Sequence, residues 1–246
     1  MEKSDIISTF ADMLYEAERG RKPIRPITDM QAGFTVEDAY AVQLENIGRA
    51  QAMGQVVSGK KIGLTSEGIQ RQMGVSEPDY GHLFASMNCA GGAIRCEELI
   101  APKIEAEIAF VLKKDLTGGQ VTAQDVEDAT DYVLPAFEIV DSRIENWNIK
   151  LPDTVADNAS SGRYVLGTRP FQLSEVNLPA VHMQLYKNGS QLVGEGTGAA
   201  VLGHPCTAVE WLANRLYSYG VLLKKGEVIL SGAFSPAPPA VRGDVF

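Results

Sequence analysis

The feature that most constrains the fold is a strictly alternating segment at residues 103–113. It contains the run IEAEIAF, in which apolar residues occupy every second position. Successive side chains of a β-strand point to opposite faces, so the pattern predicts a strand with one apolar face. Glu105 and Glu107 then share the other face, about 7 Å apart along the strand. Two carboxylates aimed at one place repel each other unless a cation lies between them. The segment therefore predicts either a solvated strand face or a site for a hard divalent cation such as magnesium or manganese.

A second predicted strand, residues 132–141, is apolar except for one internal carboxylate, that of Glu138. Burying an unpaired carboxylate costs free energy. Glu138 therefore lies either on a solvated side of the sheet or beside Glu105 and Glu107, as the third ligand of the same ion. Three carboxylates, waters and a chelating substrate would complete an octahedral site.

Other polar residues are candidates for the same site, each with an ordinary alternative. Lys61 lies in the middle of a predicted strand, GKKIGLT, between a glycine and apolar residues; it is a surface lysine, a cation beside a substrate anion or enolate, or a proton shuttle. Asp79 follows a proline and is typical of a turn, or serves the site. Residues 153–162, which include Ser160, are small and polar; they form a connection or present backbone N–H groups to an anion. His82 lies near Asp79 and is a candidate for lining the same site.

The chain as a whole is predicted to be α+β, with an N-terminal helical region at 1–56 and a β-rich catalytic domain at 57–246. Apolar spacings of three and four predict helices, and alternation predicts strands. Asn188-Gly189 predicts a two-residue hairpin turn. Residues 75–84 and 153–162 are predicted as loops. The predicted helices cover 5–19, 36–53 (capped by Thr35), a short segment after Ser66, 122–131 and 207–219, and late strands include the run EVILSG.

Composition and charge argue against several classes of protein. The 246 residues carry a net charge of −9 without a basic stripe, which argues against nucleic-acid binding. Three scattered cysteines form neither a disulfide framework nor a C-x-x-C metal pair. No run of about eighteen apolar residues predicts a membrane span, and the N-terminus lacks the apolar core of a signal peptide. We therefore expect a cytoplasmic protein.

Several segments together resemble the 2-hydroxypentadienoate (2-keto-4-pentenoate) hydratase group of the fumarylacetoacetate hydrolase superfamily. The resemblance runs nearly end to end and in the right order. The segments are GKKIGLTS at 59–66, GVSEPDYGHLF at 74–84, PKIEAEIAFVLKKDL at 102–116, YVLPAFEIVDSRIENW at 132–147, DTVADNASSGRYVLG at 153–167, and LGHP and GEVILSGAF near the end.

The resemblance implies a mixed, mostly β core with an N-terminal helical cover. It also implies that Glu105, Glu107 and Glu138 bind Mg²⁺ or Mn²⁺, and that Lys61 and Asp79 are the active-site lysine and aspartate. Ser231 would contact the substrate carboxylate; Ser160 and His82 are further substrate-binding candidates. That site residue set is Lys61, Asp79, Glu105, Glu107, Glu138, Ser160, Ser231 and His82.

The reaction that the resemblance implies is addition of water to 2-hydroxypenta-2,4-dienoate or a close analogue, giving a 4-hydroxy-2-oxoalkanoate in aromatic catabolism. The alternatives are a 4-oxalocrotonate-type decarboxylase, an acylpyruvate-type hydrolase and a non-catalytic partner of an active homologue. Asp79 favours the hydratase, since the decarboxylases carry an apolar residue there. We also expect a homo-oligomer that associates with a downstream aldolase or a decarboxylase homologue. The chain departs from the family in ending at Gly243-Asp244-Val245-Phe246, where members continue into a last strand.

Overall fold

The centre of the protein is a six-stranded mixed sheet, seen in a computed structural model that describes residues 2–246. Its strand order is β2-β1-β8-β3-β4-β5, and a separate hairpin is formed by β6 and β7. Neighbours in the large sheet are antiparallel except β1 and β8, which run parallel. The strands are β1 Val57–Gly63, β2 Asp79–Phe84, β3 Lys103–Leu112, β4 Thr130–Val140, β5 Ser161–Leu166, β6 His182–Lys187, β7 Gln191–Thr197 and β8 Val228–Leu230.

Seven α-helices surround the strands, and their ends follow ordinary capping chemistry. The side chains of Thr35 and Thr122 each close a capping box, and Ser66 accepts from the N–H of Ile69. The predicted helices are confirmed. The helices are α1 Lys3–Gly20, α2 Ile27–Met30, α3 Val36–Ala52, α4 Glu67–Met73, α5 Ala123–Ala129, α6 Leu151–Ala156 and α7 Pro205–Tyr217.

Two predicted loops were wrong in part. Residues 79–84 form β2, in which every residue is buried and pairs with β1. Pro78 and Gly81 suggested a loop, but tertiary pairing outweighs those local signals. Within 153–162, helix α6 extends to Ala156, and Asp153 caps its own helix by accepting from the N–H of Lys150.

The large sheet has two differently covered faces. Alternate residues such as Ile62, Phe110 and Ile229 join the larger apolar cluster, to which α1, α3 and α7 contribute. Their sequence neighbours, including Ala109 and Leu230, join a smaller apolar cluster on the opposite face. We call this second side the inner face. By the same alternation the inner face carries Lys61 on β1, Asp79 on β2, Glu105 and Glu107 on β3, and Glu138 on β4.

The N-terminal helices lie against the sheet and α6. Gln43 of α3 is fully buried, and its Nε2 donates to the carbonyl oxygens of Tyr80 and Val155 at 3.1 and 2.8 Å. The division at residue 56 stays a prediction. None of the helices within residues 2–246 is long and apolar enough to cross a membrane.

Candidate active site

Three glutamate side chains converge on the inner face. Glu105 and Glu138 are direct cross-strand partners of β3 and β4, and Glu107 lies two residues further along β3. One oxygen of each carboxylate lies within 4.8 Å of the other two. Like charges placed directly opposite each other destabilise a sheet. The arrangement therefore calls for a positive charge between them.

Burial makes the repulsion stronger. Burial raises the pKa of Glu107 well above its ordinary value, and the charges of Glu138 and Glu105 raise it further. Burial likewise raises the pKa of Glu138 to about 7, against the opposing effect of Lys61. Burial also raises the pKa of Glu105. Without a cation, the cluster favours at least partial protonation near neutral pH.

Unused oxygens in the cluster fit a metal ion. The N–H of Gly232 donates to Glu107 Oε2 at 2.8 Å. Glu107 Oε1 and Glu138 Oε2 are buried and find no hydrogen-bond partner among residues 2–246. Buried, unpaired carboxylate oxygens are the donors that magnesium and manganese prefer. The donor set therefore fits a hard divalent cation.

Lys61, which the sequence indicated as a candidate for the site, lies beside the carboxylate cluster. Its Nζ lies 3.1 Å from Glu138 Oε1, and its side chain is 3% exposed. Burial alone would lower the pKa of Lys61, but the charges of Glu138 and Glu105 outweigh burial and raise it. Lys61 is thus held as an ammonium ion at the edge of the carboxylates.

Asp79 lies across from Gly63 in the register of β1 and β2. Thr154 Oγ1 donates to Asp79 Oδ2 at 3.3 Å, while Oδ1 has no hydrogen-bond partner within residues 2–246. Burial raises the pKa of Asp79, and Lys61 opposes that rise. A Cβ at Gly63 would lie 2.3 Å from Asp79 Oδ1, so glycine leaves the room that this carboxyl group occupies. One oxygen of Asp79 is free to accept a proton.

A cavity of about 560 Å³ opens onto these residues. Lys61, Asp79, Glu105 and Ser160 line one side of it. This volume and the mixed lining are typical of a small-molecule site. The remaining wall is largely apolar and includes Leu64, Ile69, Met73, Val140, Trp147, Ile149 and Phe234.

The two other predicted residues lie differently. Ser231 directly follows β8 and precedes Gly232, and its buried Oγ has no hydrogen-bond partner in the described part of the chain. His82 lies on the opposite face of β2 from Asp79, where its Nδ1 is 3.1 Å from Gln43 Oε1. Burial, with the charge of Lys60, lowers the pKa of His82 to about 3. The structure does not bring His82 to the cavity.

Sequence reasoning missed Thr154, Lys103 and Trp147, which also line the cavity. Lys103 is two residues before Glu105 on the same face of β3, so alternation alone could have indicated it. Its Nζ lies 4.1 Å from the centre of the Trp147 ring. Thr154 gave no signal, because its partner Asp79 is 75 residues away.

A second group of metal-ligand residues, Glu127, His204 and Cys206, is a poorer fit. Its ligand atoms also lie within 4.8 Å of one another. However, His204 Nδ1 already accepts from the N–H of Cys206 at 3.1 Å, as the cap of α7. Burial raises the pKa of the Cys206 thiol to about 12, which disfavours the thiolate that binds metals.

Comparison with known proteins shows the family to which the chain belongs. The fumarylacetoacetate (FAA) hydrolase C-terminal family matches residues 70–246. The chain belongs to the fumarylacetoacetate hydrolase family.

The chain is also similar over nearly its whole length to relatives that are hydratases. The chain is 48% identical over 249 aligned residues to 2-hydroxyhexa-2,4-dienoate hydratase of Comamonas testosteroni, covering 100% of this chain and 94% of the relative. It is 49% identical to 2-keto-4-pentenoate hydratase of Paraburkholderia xenovorans (strain LB400), covering 96% and 88%.

Among solved structures, 4-oxalocrotonate decarboxylase from Pseudomonas putida G7, complexed with magnesium and adipate, superposes with a TM-score of 0.94. That chain is 40% identical, and the match covers 99% of this chain and 92% of the other. The predicted α+β fold and the predicted family are confirmed.

Proposed function

We propose that this protein is a magnesium-dependent hydratase that adds water to 2-hydroxypenta-2,4-dienoate or a close analogue, giving a 4-hydroxy-2-oxoalkanoate. The observation that carries the proposal is the position of Asp79. Its carboxyl group, with one unpaired oxygen, lines the same cavity as Lys61 and Glu105 of the carboxylate cluster. A group that accepts a proton from water is what hydration needs beyond stabilisation of an enolate.

Glu105, Glu107 and Glu138 would hold the metal ion, for which Mg²⁺ is our first choice and Mn²⁺ the second. When bound, a divalent ion stabilises negative charge on the carboxylate and 2-oxygen of such a substrate. Two solved structures of 4-oxalocrotonate decarboxylase, one with magnesium and adipate and one with calcium and acetate, support a divalent ion.

Lys61 and Asp79 divide the proton transfers. The dienol loses its enol O–H proton as C5 gains one, which gives an α,β-unsaturated ketone; the Lys61 ammonium, beside Glu138, is our candidate for carrying that proton. Water then adds at C4 and gives up one proton to Asp79, and the enolate that results takes a proton at C3. Thr154 donates to one oxygen of Asp79, and the other oxygen, which has no hydrogen-bond partner within residues 2–246, is left to take that proton. Ser231 and Ser160 are our candidates for binding the substrate's polar groups.

The runner-up is decarboxylation of a vinylogous 2-keto diacid, which the TM-score of 0.94 to 4-oxalocrotonate decarboxylase favours. That reaction needs a stabilised enolate but no base for water. Asp79 and the 44–49% identity of hydratases covering 96–100% of this chain weigh for hydration. Fumarylpyruvate hydrolase from Pseudomonas aeruginosa, at 14% identity and a TM-score of 0.59, shares the fold alone. A homo-oligomer in the cytoplasm, associated with an aldolase or a decarboxylase homologue, completes the proposal.

The test is a substrate panel assayed with Mg²⁺ and with Mn²⁺: 2-hydroxydienoates with a hydrogen, a methyl group or a carboxylate at the far end, and 4-oxalocrotonate. We expect water addition without release of carbon dioxide. Asp79→Asn should lower hydration by about 10²–10⁴-fold, the usual contribution of a general base. Exchange of substrate protons at C3 and C5 with solvent should partly survive in that variant.

Asp131→Asn, at an exposed carboxylate on β4, is the matched control and should behave as the parent protein. Release of carbon dioxide from 4-oxalocrotonate, with no hydration of any dienoate, would replace the hydratase with the decarboxylase. Equal loss of exchange and hydration in Asp79→Asn would remove Asp79 as the base for water.

A further inference from the structure

A buried arginine binds both ends of one turn, and two residues of that turn, Ala159 and Ser160, line the cavity. Arg143 is 6% exposed, and its Nε and one Nη donate to the side chain and the backbone carbonyl of Asp157. Its other Nη donates to the carbonyl oxygens of Asp141 and Ser161 at 2.6 and 2.8 Å. Asp157 precedes the turn and Ser161 follows it. The guanidinium group therefore joins the two ends of residues 158–160.

This turn has a backbone conformation that its residues do not favour. Asn158, Ala159 and Ser160 have φ angles of 53°, 50° and 54°. Left-handed backbone is uncommon outside glycine, and each such residue adds strain that the surroundings must offset. Asparagine tolerates the region, but alanine and serine do so poorly. Three such residues in succession need contacts from outside the turn to hold them.

Contacts with β2 supply part of this hold. Asn158 Oδ1 accepts from the N–H of His82 at 2.7 Å, and its Nδ2 donates to the His82 carbonyl oxygen at 2.9 Å. The approach is so close that a Cβ at Gly81 would lie 2.4 Å from the Asn158 carbonyl oxygen. The turn is thus bound to the strand that carries Asp79, and Ala159 and Ser160 line the cavity with Asp79.

The same network sets the direction of one hydroxyl group. Ser160 Oγ lies 3.3 Å from Asp157 Oδ2, which also accepts from the N–H of Arg143 at 3.0 Å. The ion pair with Arg143 favours the carboxylate form of Asp157, against burial, which raises the pKa of Asp157 to about 6. A carboxylate only accepts hydrogen bonds, so Ser160 must donate its proton to Asp157. The lone pairs of Ser160 Oγ are left to accept a bond from the cavity side.

We propose that Arg143 and Asp157 are positioning residues for hydration: they hold the left-handed turn at residues 158–160 and fix the Ser160 hydroxyl as an acceptor for the attacking water. The proposal rests on the hydratase function proposed above. Water held between an acceptor on Ser160 and the base Asp79 has its oxygen lone pair directed to the substrate. A serine free to rotate would instead donate to that lone pair and oppose the attack.

The experiment compares three variants with the parent enzyme, measuring hydration and solvent exchange at C3 and C5 separately. Ser160→Ala should lower kcat for hydration by about 10-fold, the scale of one hydrogen bond, and leave exchange within about twofold. Asp157→Asn, whose amide can donate to Ser160 and reverse the bond, should lower hydration by about 10²-fold with exchange less affected. Arg143→Lys keeps the charge but not the fork of donors, and should lower hydration by about 10-fold.

The control is Glu227→Gln, which weakens another, partly buried ion pair, Lys60 Nζ to Glu227 Oε1 at 3.0 Å, whose residues do not line the cavity. It should lower the melting temperature and leave the ratio of hydration to exchange unchanged. The positioning role is overturned if Ser160→Ala keeps the parental ratio of hydration to solvent exchange. It is equally overturned if the two variants of the Arg143–Asp157 clamp, Asp157→Asn and Arg143→Lys, keep that ratio at matched stability.

Hydrogen exchange of the backbone separates this proposal from the proposed function. Arg143→Lys should raise amide exchange at residues 157–162 by at least about 10-fold relative to β4, whatever reaction the enzyme catalyses. If the parent enzyme hydrates no dienoate, the hydratase function fails and this readout alone decides whether the clamp holds the turn. Unchanged exchange at residues 157–162 would overturn that part as well.

Discussion

The protein buries charge in two neighbouring places and treats it in opposite ways. At the Arg143–Asp157 clamp, both carboxylate oxygens and all three guanidinium nitrogens have partners. In the carboxylate cluster, the glutamates face one another, and oxygens of Glu107 and Glu138 lack hydrogen bonds to residues 2–246. A satisfied network serves to fix a conformation, whereas an unsatisfied one of a single sign is prepared for a ligand. The difference separates what holds the site from what binds in it.

The largest effect on stability is expected at the clamp. Arg143→Met leaves the buried Asp157 without its partner, and removing one member of a buried ion pair costs about 3–5 kcal/mol. Urea unfolding of the metal-free protein should show this loss in the free energy of unfolding. A loss below about 1 kcal/mol would mean that solvent or another residue compensates Asp157, and the contrast with the cluster would weaken.

Metal should have the next largest effect, and only at the cluster. Binding to the folded state alone adds about 2.7 kcal/mol at a magnesium concentration of 100 times Kd. The melting temperature of the parent protein should rise with Mg²⁺ and fall back with chelator. Glu107→Gln should remove most of that rise and depress both exchange and hydration, while Arg143→Lys should retain the rise. A melting temperature indifferent to Mg²⁺ in the parent protein would contradict the metal site.

A fall in pH should change stability in opposite directions through His82 and through Glu138 of the carboxylate cluster. The pKa of His82 is about 3 when folded and 6.5 ordinarily, so the unfolded chain binds the extra proton and stability falls as pH drops below 6.5. Between pH 7 and 5.5 this one group costs about 1.3 kcal/mol. The raised pKa of Glu138 has the opposite sign: its protonation favours the folded state as pH falls.

His82→Asn should therefore lose less stability than the parent protein between pH 7 and 5.5, measured by urea unfolding in chelator. Parallel pH profiles for the two proteins would show that His82 is not the acid-sensitive group.

The smallest effect is expected for the cluster without metal. Glu107→Gln removes one of three carboxyl groups that repel one another when ionised, and relief of a like-charge pair is worth up to about 1 kcal/mol. The metal-free variant should be slightly more stable than the metal-free parent protein by differential scanning calorimetry. Glu227→Gln, which breaks a satisfied pair, should be less stable. A destabilised Glu107→Gln would show that the bond from Gly232 matters more than the repulsion.

Local sequence pattern was enough to predict the cluster of three glutamates, but it did not indicate the residues that hold the surrounding structure in place. Alternation placed Glu105 and Glu107 on one face, and an isolated carboxylate in an apolar strand indicated Glu138. Arg143 gave no such signal, since its value comes from Asp157, Asp141 and Ser161, which only tertiary folding places around it. The sequence likewise gave no signal for the left-handed turn at residues 158–160. Sequence rules look for glycine at positive φ, and Ala159 adopts it because its neighbours are held from outside.

The placement of β8 bears on how the chain reaches this fold during synthesis. β8 is three residues long, yet it separates β1 from β3 and pairs with both. Lys61 and Asp79 lie on one side of it and the three glutamates on the other. Until residues 228–230 leave the ribosome, the two halves of the sheet have unpaired edges facing each other and no catalytic centre between them. Pairings that join such distant parts of a chain form slowly, and open edges invite association with other chains. We therefore expect nascent chains to need protection from aggregation until the segment that contains β8 has emerged.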